Sequence, residues 1–170
     1  MYYTNIFSNV KRSVSSRGTI AAMTKPFSPP DPDFETRVRD TYAKQAMLDT
    51  LGAQIGLLQP GEFHILMPFD ARFTQQDGFL HAGVVTTLMD TACGYAAHTL
   101  MPAASRVLSV EFKVNLLSPA RGDHFRAEGR VIKPGRTLTV CEGKLFSIAN
   151  NGEETLCAIM QATMICIREA

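Results

Sequence analysis

The residues best suited to chemistry in this chain lie in one segment. Residues 81–101, HAGVVTTLMDTACGYAAHTLM, are apolar almost throughout, yet an aspartate, Asp90, stands near the centre. An ionised carboxylate held away from water is costly unless it is paired or has a task. Two roles fit: a general base in a dry site, or a structural cap for a fresh helical turn at Thr91-Ala92-Cys93. The same segment opens with His81-Ala82-Gly83. Small residues at a helix start leave the first backbone N–H groups accessible, and such groups can hold a developing oxyanion. An ordinary helix start with a half-exposed histidine is the plainer reading of the same three residues.

Other chemistries have less support. The histidines His64, His81, His98 and His124 are scattered, with no HxH or HExxH pattern, so a metal site is not expected. Cys93, Cys141, Cys157 and Cys166 are spaced by 48, 16 and 9 residues, which matches no zinc pattern and no CxxC. Three of them sit in apolar runs, where free cysteine acts as a small hydrophobe, so a reducing compartment without disulfides is expected.

Elements must hold Asp90 and the His81 segment in place. Asp33 is a plausible N-cap for an amphipathic helix over 34–49, carrying Phe34, Val38, Tyr42, Ala46 and Met47 at near-helical spacing, with Gly52 as the break. Residues 53–58 and 62–69 read as strands around Gln59-Pro60-Gly61, and 70–80 as a loop. Residues 81–101 show no strand alternation; they read as a helix buried on most sides, ended by Pro102. Four strands follow, at 105–117, 124–133, 136–149 and 155–167. Val110, Phe112, Val114 and Leu116 alternate with Glu111, Lys113 and Asn115, the pattern of a half-buried strand. Pro134-Gly135 and Asn150-Asn151-Gly152 are short enough for hairpins. The order predicts an α+β chain, an antiparallel sheet with helices on one face.

Composition bounds the class. The chain has 170 residues, 45% apolar and 19% charged, enough for one domain with a core of its own. A formal charge of +1 argues against a nucleic-acid surface. No apolar run is long enough to span a membrane. Residues 1–30 hold Lys11, Arg12, Arg17 and Lys25 and no acid. That stretch reads as a tail, or as an over-long start ahead of Met23, in a cytoplasmic protein; the alternative is a presequence for the mitochondrial matrix. KPFSPPDPD, with four prolines in nine residues, leads into the domain as a linker, so a tail and linker over 1–32 and a domain over 33–170 are expected.

The run GFLHAGVVTTLMDTACGYAA resembles the signature of hotdog-fold acyl-CoA thioesterases of the phenylacetate-pathway (PaaI-type) group, G-x-x-H-G-G, six residues, then Asp. The resemblance extends through SVEFKVNLLSPARGD and VIKPGRTL and covers roughly residues 50–167. It implies a hotdog fold, an antiparallel sheet wrapped around a central buried helix. Ala82 stands where the family usually has its first glycine, and Gln75 where relatives often carry asparagine. The implied roles are the Ala82 or Gly83 amide polarising the thioester carbonyl, Asp90 as general base or nucleophile, and Gln75 orienting carbonyl or water. His81 would hold the helix start, and Ser109 would assist the water. The implied reaction needs no cofactor, since coenzyme A is part of the substrate.

A helix rises about 1.5 Å per residue, so Ala82 and Asp90 lie about 12 Å apart along one axis. One helix cannot offer both to one thioester. A partner's antiparallel helix can, which favours a homodimer with two composite sites; family members often pair such dimers into homotetramers. Lys133-Pro134-Gly135-Arg136 and Arg106 are candidates for the CoA phosphates, Arg136 by its place in the family's basic turn. Tyr95 could line an acyl pocket or be plain core. The competing functions are a non-catalytic acyl-CoA binder, against which Asp90 argues, and a hotdog hydratase or dehydratase, whose own signature is not evident.

Overall fold

The computed structural model describes residues 27–168. The basic stretch 1–22 and the expectation of a tail or presequence there lie outside the described residues. Helices α1 (Phe34–Tyr42) and α2 (Ala46–Thr50) lead into strands β1 (Gln54–Gln59) and β2 (Glu62–Pro68). A short 3-10 turn (Ala71–Phe73) follows, then α3 (Ala82–His98), β3 (Ser105–Leu116), β4 (His124–Lys133), β5 (Leu138–Ile148) and β6 (Glu154–Arg168). The six strands form one antiparallel sheet in the order β1-β2-β4-β5-β6-β3, and α3 packs along its concave side. This is the wrapped-sheet architecture expected of a hotdog fold.

The core lies between α3 and the sheet. Alternate residues of β2 (Phe63, Ile65, Met67), β4 (Phe125, Ala127) and β5 (Cys141, Leu145) point inward and are buried. They meet Leu88, Met89, Ala92 and Cys93 of α3, also buried. Two glycines let the helix lie close. Gly129 and Gly143 are directly paired on β4 and β5. A Cβ on Gly129 would run into the backbone carbonyl of Ala92, and one on Gly143 would come within 3.0 Å of Cys93 Sγ. All four cysteines are free thiols.

The predicted single helix over 34–49 is two helices. Val38 and Leu48 are both fully buried, but in one straight helix they would point about 80° apart. The break at Ala43–Gln45, where Gln45 takes ψ 87°, turns the chain so that both reach the core. Asp33 occupies the N-cap position of α1 without a capping bond from its side chain. Asp31 supplies the local carboxylate: it accepts from Asp33 N–H at 3.0 Å and pairs with Arg37 Nε at 2.7 Å, only 6% exposed. Phe27 packs on the core as well. The ordered domain therefore begins before residue 33, because Arg37 and the core need these two side chains.

Arg37 also donates to the carbonyls of His98 (3.3 Å) and Met101 (3.0 Å), which satisfies the end of α3. Beside it, His98 is buried, and burial together with the Arg37 charge lowers its pKa to about 4.

The expectation of a half-buried β3 needs correction. Phe112, Val114 and Leu116 pair with Ala162, Met160 and Ala158, so they do share the inner face. Phe112 is nevertheless 46% exposed and Leu116 58%. β3 is an edge strand, and among the described residues no strand pairs with its free side. A bulge between Ser109 and Glu111 sets Val110 out of register, and it too is exposed.

Candidate active site

Asp90 is less enclosed than its neighbours in sequence imply. The C-terminal half of α3, from Ala92 to His98, is buried, but Thr86, Thr87, Asp90 and Thr91 are half-buried. They form a polar stripe, and Thr87, Asp90 and Thr91 open from it into a cavity of about 530 Å³. The far wall is the start of β3. There Ser109 Oγ donates to Asp90 Oδ1 at 2.6 Å, and Met164 Sδ lies 3.5 Å from the same hydroxyl. The short bond fixes one carboxylate oxygen, and Oδ2 has no hydrogen-bond partner among the described residues. The cap role for Asp90 does not hold, because α3 runs unbroken through it.

The start of α3 is built by His81. Its backbone is extended (φ −60°, ψ 137°), and its Nδ1 accepts from Gly83 N–H at 2.9 Å. An acceptor Nδ1 requires the proton on Nε2. His81 N–H donates to Phe73 O at 2.9 Å, which ties the helix start to the preceding loop, and His81 O accepts from Val84 and Val85. Gly83 is thus engaged by the imidazole. Of the first-turn amides, Ala82 N–H is the one left with no intrahelical acceptor, on an exposed residue at the positive end of the helix.

Gln75 sits on the turn before α3. Its backbone N–H donates to Phe79 O at 2.8 Å, and its side-chain oxygen accepts from Asp77 N–H. Gln75 and Ala82 line a second cavity, about 370 Å³, with an apolar wall from Leu116, Leu117 and Pro119. The structure therefore joins Asp90 with Ser109 in one cavity, and Gln75 with Ala82 in another, at the helix start that His81 and Gly83 build.

The basic candidates lie at one corner of the sheet. Lys133, Gly135 and Arg136 are exposed in the β4–β5 turn, where a Cβ on Gly135 would strike the Leu138 carbonyl. Arg106 is exposed at the start of β3. Cys166 of β6 joins the two places: its N–H donates to Thr137 O at 2.8 Å, and it pairs with Val107. Val107 and Leu108 in turn wall the Asp90 cavity.

Sequence reasoning missed the turn between α1 and α2. Thr41, Lys44 and Gln45 line the Asp90 cavity, and Gln45 Nε2 donates to the Tyr95 hydroxyl at 3.4 Å. Tyr95 serves both readings given to it: its ring packs on Phe63 (5.2 Å) and Tyr42 (5.5 Å), and it lines the cavity. The polar run Thr87, Asp90, Thr91, Gly94 at helical spacing was the available signal for the open stripe. No cluster of three metal-ligating side chains occurs among the described residues, and no helix there is long and apolar enough to cross a membrane.

Comparison with known proteins bears on this arrangement. The thioesterase superfamily signature matches residues 77–152, which span α3 and the strands β3, β4 and β5. A candidate esterase of Halobacterium salinarum is 30% identical over 126 residues, covering 71% of this chain and 83% of its own. The PaaI protein of Escherichia coli, from the phenylacetic acid degradation operon, shares the fold at TM-score 0.69 and 19% identity, over 81% of this chain and 94% of its own. A thioesterase family protein from Silicibacter pomeroyi superposes at TM-score 0.78 with 48% identity, over 80% of this chain and 99% of its own. With that identity over four-fifths of its length, the chain belongs to the thioesterase superfamily and is a hotdog-fold thioester hydrolase.

Proposed function

We propose that this hydrolase acts on acyl-CoA thioesters at two sites shared across a homodimer. Asp90 and Ser109 come from one protomer, and Gln75, His81 and the Ala82 amide from its partner. The observation that carries this reading is the division of the site: the base and its hydroxyl partner open into one cavity, and the oxyanion donor into another. The exposed edge of β3 supports it. Along β3, Phe112 lies between Ser109 of one cavity and Leu116 of the other, and an apolar, unpaired edge of that length invites a second copy.

In the reaction, the Ala82 N–H and the positive end of α3 stabilise the carbonyl oxygen as it gains charge. Ser109 holds Asp90 Oδ1, so Oδ2 takes a proton from water while the water oxygen attacks the carbonyl carbon. The C–S bond then breaks, the thiolate of CoA takes the proton back, and the free acid leaves. Gln75 orients the thioester, and His81 positions the helix start by holding Gly83. Direct attack by Asp90 would instead form an anhydride that water must open. Lys133, Arg136 and Arg106 at the sheet corner suit the CoA phosphates, with Gly135 shaping the turn.

The test is thiol release from benzoyl-CoA, phenylacetyl-CoA and medium-chain acyl-CoAs, read with a thiol reagent. Release of thiol with matching free acid is expected from at least one of these. An inert panel would remove acyl-CoA as the substrate class.

A further inference from the structure

The Asp90 cavity extends away from Ser109 along α3, towards the turn between α1 and α2. Tyr95 lies five residues beyond Asp90, about 7.5 Å along the helix axis. Its hydroxyl oxygen accepts from Gln45 Nε2, so its own proton is free to be donated elsewhere. Lys44, the adjacent residue of the turn, lines the same cavity. It is exposed, and it has no ion pair among the described residues. His98 also lines this end, but burial and the Arg37 charge keep it neutral at ordinary pH, and its Nε2 faces Ser105 O at 3.4 Å. Lys44 is therefore the cation of this cavity, and Asp90 is the anion.

A plain hydrocarbon chain makes no use of an ammonium and a phenol proton at that distance from the reacting carbon. It would also desolvate them without replacing their hydrogen bonds. We propose that the acyl group ends in a carboxylate, so that the substrate is the CoA mono-thioester of a short dicarboxylic acid, with Lys44 and the Tyr95 hydroxyl holding the free carboxylate. This rests on the acyl-CoA reading given above. The substrate's second charge is matched by Lys44 and is kept away from Asp90 by the length of the chain. A six-carbon chain is of the same order of length as the helix axis between Asp90 and Tyr95, about 7.5 Å.

The experiment compares kcat/KM for adipoyl-CoA and hexanoyl-CoA, which have equal chain length and differ in the terminal carboxylate. The wild-type ratio is expected to favour adipoyl-CoA by about tenfold or more, the size of a hydrogen-bonded charge contact. Lys44→Met should bring the ratio towards one, and Lys44→Arg should keep it. Because Lys44 is exposed, a melting curve should show both variants folded. A wild-type ratio at or below one overturns the proposal, as does a ratio that Lys44→Met does not move. If hexanoyl-CoA is cleaved without preference for the carboxylate, only this proposal falls. If neither thioester is cleaved and the benzoyl and phenylacetyl panel is inert too, the acyl-CoA reading falls with it.

Discussion

If each site takes its base from one chain and its oxyanion donor from the other, two inactive variants should restore activity together. Asp90→Asn removes the base and should lower turnover by at least about a hundredfold. Ala82→Pro removes the N–H assigned to the oxyanion, a loss of about a hundredfold to a thousandfold where such donors have been removed. The local geometry accepts the proline. Ala82 is the first residue of α3, is exposed, and its N–H serves no intrahelical bond. His81, the residue before it, already has ψ 137°, the extended conformation that proline requires of its predecessor. In a mixed dimer one site collects both lesions and the other collects none. Random pairing makes about half the dimers mixed, each with one good site of two, so the unfractionated pool should recover about a quarter of wild-type activity and the isolated mixed dimers about half. The assay is thiol release after co-expression with two different affinity tags, with mixed dimers isolated through both. Mixed dimers that form and stay as inactive as their parents would refute the shared site, as would full activity in a protein that sediments as a monomer.

Ser109→Ala should lower kcat about tenfold, since Asp90 Oδ1 loses a 2.6 Å bond, with a smaller change in KM; steady-state kinetics would show a KM effect instead if Ser109 only shaped the pocket. Stability should fall as pH drops from 6.5 towards 4. The folded state keeps His98 neutral with a pKa near 4 while the unfolded chain protonates it near 6.5, so the stability is complete above 6.5 and declines below it. The decline is about 3 kcal/mol as an upper figure, and urea unfolding of His98→Gln should show a flatter slope across that window. Gly129→Ala should cost about 3 kcal/mol or more, because the new methyl meets the Ala92 carbonyl of a helix that cannot lift without uncovering the core; a melting temperature near wild type would contradict that packing.

The sequence by itself determined the order of elements. The turn residues between 117 and 155 marked off the strands that became β3 to β6, and the apolar run from Val84 to Met101 made a helix that must lie on a sheet. His81, Ala82 and Gly83 could be read as a helix start because caps act within one turn. Such features depend on neighbours a few residues away. What the tertiary structure decided depends on residues far apart in the chain. Ser109 meets Asp90 across 19 positions, and Gln45 meets Tyr95 across 50. The break between α1 and α2, which brings Lys44 and Gln45 to the cavity, follows from the need to bury both Val38 and Leu48. Local propensity does not carry that need. The alternating pattern of β3 likewise says which side chains share a face, but the cover over that face is set by sheet order, and at this edge strand the described residues leave Phe112 and Leu116 exposed.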